Sequence, residues 1–396
     1  MNKDFSPIVS VVVPVYNAEK YLSETLSDLL NQTLTNAEFI FVDDGSTDLS
    51  LSILQSAAEK DKRVRILQQN HKFAGCARNL GLEAAKGKYF IALDSDDRFE
   101  LNLLELTVNR AEETNAEIIV FDADTLQDGK YIFKSNLAYV NNLPKEPFKP
   151  SSETFGAFGV TATWTKLYRM DFLRNGGFLY QETFESNDIR FTIHTMASAK
   201  CVVAIPKILV HYRIGLKDNI QSNKDAYSTD VIRAYSSLRE YLIKDDLWEE
   251  FRKIYITRAL VSLLFGRMFS FKNISIAYEW YNQLKNSYLK DLYLDNICQE
   301  DLVGPYSLKI WERYTFFVKS SFDEWLWFNL QEQINKNSKI EELKTKLKQK
   351  DVEILKLKQK QTKYNIKNIR NSCSYRLGLF LTFPFRVVAN LFKKRN

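Results

Sequence analysis

The stretch Tyr89-Phe-Ile-Ala-Leu-Asp-Ser-Asp-Asp97 closes a short apolar run with three carboxylates, Asp94, Asp96 and Asp97. Carboxylates this close repel unless a cation joins them, and a hard divalent ion carrying phosphate oxygens does that well. A solvated acidic turn is the competing reading. Negative charge also favours the first turn of a helix, here Arg98-Phe-Glu-Leu-Asn-Leu. A second acid cluster, Asp43-Asp44-Gly45-Ser46-Thr47-Asp48, follows the apolar residues 39–42. There Ser46, Thr47 or Asp48 can cap a helix beginning near Leu49.

Both clusters need strand ends to hold them. Residues 8–14, 39–42, 63–67 and 89–93 are short runs rich in aliphatic, β-branched and aromatic residues. Strands buried on both faces look like this, which points to a parallel sheet covered by helices. Helical patterns separate them: Tyr21 to Gln32, a stretch from about Leu49, and Cys76 to Ala85, closed by Gly87 as a C-cap. The βαβαβαβ alternation implies right-handed crossovers and a doubly wound, mostly parallel α/β sheet. Ligands bind outside the carboxyl ends of such strands, the edge that both acid clusters share. Residues 118–121 and 202–205 read as further strands, and residues 130–133 as a hairpin after Gln127-Asp-Gly129. The Pro-containing residues 141–150 read as a loop.

Four segments resemble, in order and spacing, the family-2 glycosyltransferases of the GT-A fold, of the bacterial surface-polysaccharide type. They are Ser10-Val-Val-Val-Pro-Val-Tyr-Asn17, Val42-Asp-Asp-Gly-Ser-Thr-Asp48, Ala77-Arg-Asn-Leu-Gly81 and Leu93-Asp-Ser-Asp-Asp97. The resemblance covers about residues 6–215. It implies an inverting transferase that takes a nucleotide-diphosphate sugar, usually a uridine diphosphate (UDP) sugar, with a divalent cation, Mn²⁺ or Mg²⁺. On that pattern Asp44 accepts a hydrogen bond from the uracil imide, while Pro14, Val15 and Tyr16 line the base pocket. Arg78, Asp94 and Ser95 belong to the nucleotide site, and Asp96 is the metal ligand. Asp188, in Ser186-Asn-Asp-Ile-Arg-Phe191, takes the position of the general base; Asn187 stands where Glu is usual.

The resemblance also makes Asp97, Trp164, His211 and Arg213 candidates for diphosphate or acceptor contacts. Trp164 lies in Thr163-Trp-Thr-Lys-Leu-Tyr-Arg169, similar to the family's Trp-x-Lys-Leu-Tyr segment, and His211 and Arg213 flank Tyr212. Several of the site candidates have a structural alternative. Trp164 can fill the core, His211 can be a satisfied buried histidine, and Asp44 and Asp188 can serve helix ends.

At 396 residues the chain exceeds one ordinary core. We divide it into a catalytic domain at 1–224, a helical domain at 225–335, a coiled coil at 336–371 and a basic amphipathic tail at 372–396. Apolar residues at Ile340, Leu343, Leu347, Ile354, Leu357 and Tyr364 carry the heptad pattern, broken at Lys350 and Gln361. Such a seam allows a homo-oligomer. The net charge of +6 is uneven: from Lys336 onward 17 Lys and Arg face 4 Asp and Glu, leaving the rest at −7. With aromatic and aliphatic residues beside it, the basic tail suits an anionic membrane surface. No nucleic-acid recognition motif accompanies the charge.

The four cysteines have neither disulfide-framework nor zinc-ligand spacing, which fits a reducing compartment. No opening leader and no run of about 18 apolar residues is present. These readings place the protein in the cytoplasm, peripheral on the inner face of the membrane, with a lipid-linked or growing polysaccharide as acceptor. A dinucleotide-dependent oxidoreductase would need a Gly-rich loop after the first strand, and Pro14-Val-Tyr-Asn17 supplies none. The alternative within the fold is a non-catalytic sugar-binding or scaffolding protein.

Overall fold

In a computed structural model, residues 6–127, 129–132, 140–158, 161–215, 229–267, 271, 273–332 and 334–335 are described. In chain order the sheet-forming part runs β1 (Val9–Val15), α1 (Glu19–Leu30), β2 (Ala37–Asp43), α2 (Ser50–Lys60), β3 (Val64–Gln68), α3 (Phe73–Ala84) and β4 (Tyr89–Ala92). It continues with β5 (Arg98–Phe99), α4 (Leu103–Thr114), β6 (Ile118–Gln127), β7 (Lys130–Ile132), β8 (Lys166–Arg169), α5 (Met170–Gly176), α6 (Asn187–Ser198) and β9 (Val202–Arg213). The strand order is β3-β2-β1-β4-β8-β6-β9-β5, with β7 paired to β6.

The first half follows the sequence pattern. Strands β3, β2, β1 and β4 are parallel, and every residue of β1, β2 and β4 is buried. Burying each such Val, Ile or Phe contributes about 1.5–3 kcal/mol, so both faces must be covered by helices.

The second half corrects the expectation of a mostly parallel sheet. β8 runs antiparallel to both β4 and β6, and β5 antiparallel to β9, so the sheet is mixed. The residues read as the first turn of a helix also differ. Arg98–Phe99 is a short strand, and the helix starts at Leu103. Phe99 is buried, and its N–H and the Arg98 guanidinium both donate to Asp28 on α1. Gly87 is not a C-cap, since α3 ends at Ala85 in an extended conformation. Gly87 lies against β1, where a Cβ would meet the Ser10 backbone nitrogen at 2.5 Å.

Beyond the sheet, α7 (Asp230–Lys244) and α8 (Trp248–Val261) begin a helical part. It joins the sheet through α6: His194 Nε2 lies 2.6 Å from Asp245 Oδ2 at the end of α7. Helices Ile274–Gln283 and Ser307–Lys319 complete a compact unit that spans Met1–Phe322. A second unit begins at Asp323, where residues 323–332 are helical. The coiled coil and the basic tail lie outside the described residues. Among the described residues no helix is long and apolar enough to cross a membrane.

Candidate active site

The site lies along the edge where β1, β2 and β4 end. The acidic loop after β4 is held from below by α1, where Thr25 Oγ1 donates to the backbone carbonyls of Ser95 and Asp97, each at 2.9 Å. Asp97 is fully buried; Oδ1 accepts from the Arg213 N–H at 2.8 Å, while Oδ2 has no hydrogen-bond partner. Burial and the neighbouring Asp96 and Asp94 push the Asp97 carboxyl well above the usual carboxylate range. Asp96 is raised to about 6, by burial first and by Asp94 second. A desolvated set of acids with an orphaned buried oxygen suits a divalent cation, which would replace the missing water and the missing counter-charge. Among the described residues no three His, Cys, Asp or Glu side chains form a ready-made metal cage. Such a site would need ligand oxygens from elsewhere, as cations bound through one or two carboxylates plus substrate phosphates do.

Arg78 on α3 connects this loop to the start of α6. Its guanidinium donates to Asp94 Oδ1 at 2.6 Å and to Asn187 Oδ1 at 2.8 Å. The residue that departs from the family's usual Glu is thus engaged with the arginine beside the acids. Gly75 sets the closeness of α3 to this region, because a Cβ there would lie 2.1 Å from the Gln181 carbonyl oxygen. Gly75→Ala is expected to cost about 1–3 kcal/mol as the helix or the loop shifts. Urea denaturation of the variant checks this, and a loss below about 0.5 kcal/mol would contradict the close packing.

Asp188 stands in the first turn of α6, half-buried, after Ser186 in a left-handed conformation (φ 58°). Burial raises its pKa to about 6; Arg78 and Lys166 oppose the rise and Asp94 adds to it. A carboxyl poised there is suited to general-base work near neutral pH.

The structure distributes the remaining expected residues unevenly. Pro14 and Val15 are buried at the end of β1, with Tyr16 exposed beyond them. Asp44 is buried and caps α3, not the helix that follows it. It accepts from the N–H groups of Lys72 and Phe73, each at 2.8 Å, and from Gln69 Nε2 at 2.6 Å, with His71 Nδ1 at 2.9 Å. Those three N–H donors leave the carboxylate one of its roughly four acceptor sites, on the oxygen beside His71. His71 also stacks on Tyr16 at 4.0 Å between ring centroids, and Phe73 and Phe184 extend the aromatic wall. The sequence reading missed His71, Phe73 and Phe184; none belongs to a motif, and the positive φ of Phe73 (71°) is visible only in the fold.

Trp164 and His211 both have protein partners that fix them. Trp164 is buried and stacked on Tyr212, with centroids 5.3 Å apart. His211 is held between Asp124 Oδ1 at 2.5 Å and Glu100 Oε1 at 3.1 Å. Arg213, by contrast, reaches the acidic loop. Its Nε donates to the Asp96 carbonyl oxygen at 2.7 Å, its Nη2 to Glu24 at 2.9 Å, and its guanidinium covers the Tyr21 ring.

A sheet whose parallel strand ends gather acids, with a further carboxylate on the first turn of α6 beside the Arg78–Asn187 link, suits a divalent cation and an anionic ligand. Residues 10–177 match the family model described as glycosyl transferase family 2. The chain is 31% identical over 254 residues to the putative glycosyltransferase EpsH of Bacillus subtilis (strain 168), a match covering 63% of this chain and 73% of that protein. It is 41% identical over 132 residues to glycosyltransferase GlyG of Streptococcus pneumoniae serotype 4, covering 32% of this chain and 44% of that one. The solved structure of S. aureus TarS 1-349 in complex with UDP-GlcNAc shares the fold, with a TM-score of 0.60 at 20% identity over 79% of this chain and 90% of that one. The chain belongs to glycosyl transferase family 2 and is a glycosyltransferase.

Proposed function

We propose that this protein is an inverting glycosyltransferase that moves one sugar from a UDP-sugar to a hydroxyl of a lipid-linked or growing polysaccharide acceptor. The observation that carries this reading is the pairing, through Arg78, of the acidic loop at Asp94 with the α6 turn that bears Asp188. One end of that bridge suits the diphosphate and the other the acceptor hydroxyl. In the step itself the acceptor oxygen attacks the anomeric carbon, its proton passes to Asp188, and the bond to the nucleoside diphosphate breaks with its electron pair leaving on the diphosphate. Asp96 would hold a divalent cation, which supplies neutralisation of the charge growing on the leaving diphosphate. Arg78 and Arg213 stand beside the same loop as fixed cations able to pair with phosphate oxygens.

The nucleotide choice is supported by the fold shared with the TarS complexes and by the aromatic wall beside Asp44. Membrane docking through the basic tail and assembly through the heptads belong to the same proposal and rest on sequence alone. Release of UDP from a panel of UDP-sugars, with and without Mn²⁺, tests the class. Cation-dependent release from one sugar supports the reading and names the donor. No release from any sugar, with tight UDP binding, would favour a binding protein of the same fold.

A further inference from the structure

Lys166 is buried in the middle of the sheet, only 1% exposed, where lysine is rarely found unless paired. Its Nζ donates to the Ala162 carbonyl oxygen at 2.9 Å and to Thr165 Oγ1 at 3.2 Å, which fixes the end of the side chain. The antiparallel register Tyr89↔Arg169 and Phe90↔Tyr168, continued along the strands, sets Lys166 level with Ala92. Lys166 is therefore at the acidic edge, two positions short of Asp94.

The same strand faces α6. Tyr168 meets Phe191 edge-on, with ring centroids 5.2 Å apart. Residues two apart share a face of a strand, and residues three apart share a face of a helix. Lys166 and Tyr168 thus turn one surface toward the surface of α6 that carries Asp188 and Phe191. The charges agree with the geometry: each of Lys166 and Asp188 favours the ionised form of the other.

We propose that Lys166 is a positioning residue for Asp188, orienting its carboxylate and holding it ionised as the acceptor hydroxyl approaches. This rests on the reading of Asp188 as the base. Charged groups that act on Asp188 are Arg78 from α3, Asp94 from the loop after β4 and Lys166 from β8, and its charge is felt in turn by Tyr168, Tyr180, Tyr212 and Tyr235. Facing Lys166 are Asp188 and Arg258 of α8. Burial brings the Lys166 ammonium down to about 7, so it is still charged through the range near 6 where Asp188 gives up its proton.

The test is the pH dependence of kcat for Lys166→Met and Lys166→Arg, with UDP affinity and thermal unfolding as controls for the fold. Lys166→Met is expected to move the acid limb upward by about one pH unit, lowering kcat about tenfold below that limb while UDP affinity is kept. Lys166→Arg supplies a cation that does not titrate. It is expected to restore the acid limb to the wild-type position. An unmoved acid limb in folded Lys166→Met, or equal losses in both variants with no change of profile, would overturn the inference. Asp188→Asn separates the two claims. If it retains transfer, the base reading fails. If it loses transfer while the Lys166 variants keep the wild-type profile, only the role of Lys166 fails.

Discussion

Asp188→Asn is expected to lower sugar transfer by about 10²–10⁴-fold, the usual contribution of a positioned general base. The amide keeps the shape of the carboxyl but cannot take a proton, so binding of UDP should persist. In the wild type, transfer should rise with pH through about 6, as the carboxyl loses its proton. The same shift has a stability consequence of opposite sense. The folded carboxyl holds its proton more tightly than the unfolded one, whose ordinary value is 3.8. Its stabilising contribution is therefore complete below about pH 4 and is lost as pH rises through about 6. Asp188→Asn should consequently unfold at a higher temperature than the wild type at pH 7, with the difference vanishing by about pH 4. Scanning calorimetry at the two pH values checks this. A variant less stable than wild type at pH 7 would mean that the Asp188 charge is held by more than Arg78 and Lys166.

Asp96→Ala is expected to cost transfer on the order of 10³-fold, because the loss of several kcal/mol of leaving-group stabilisation corresponds to that factor. The loss should be specific. UDP binding to the wild type should tighten with Mn²⁺, and that gain should disappear in the variant, as titration calorimetry with and without the ion would read. Retention of the Mn²⁺ effect in Asp96→Ala would move the cation to other residues of the loop. Because Thr25 holds this loop through the carbonyls of Ser95 and Asp97 and not through the Asp96 side chain, the substitution should leave the loop in place.

The parallel half of the fold was legible because each of β1, β2 and β4 is buried throughout and reads as a continuous apolar run. The acids at their ends were legible for the same reason, since the strand fixes where they emerge. The other half hid itself. β5 is two residues long, and β9 passes through the exposed Pro206 and Lys207 and an irregular pairing with β6, so neither shows a clean period. β8 contains a buried lysine, a signal against a core strand when read alone.

Motif spacing singled out Asp94, Asp96, Arg78 and Asp188, but it could not assign their partners. That Asp44 caps α3, that His211 is held by Asp124 and Glu100, and that Lys166 faces α6 all depend on contacts between residues distant in sequence. The aromatic wall of Tyr16, His71, Phe73 and Phe184 is likewise assembled from three segments distant in sequence.

Cation-dependent release of UDP from the preferred UDP-sugar, measured side by side for wild type and Asp188→Asn, tests the account most directly. It predicts release by the wild type and at least a hundredfold slower release by the variant, with equal UDP affinity for both. Equal release rates would contradict the assignment of Asp188 as the group that takes the proton.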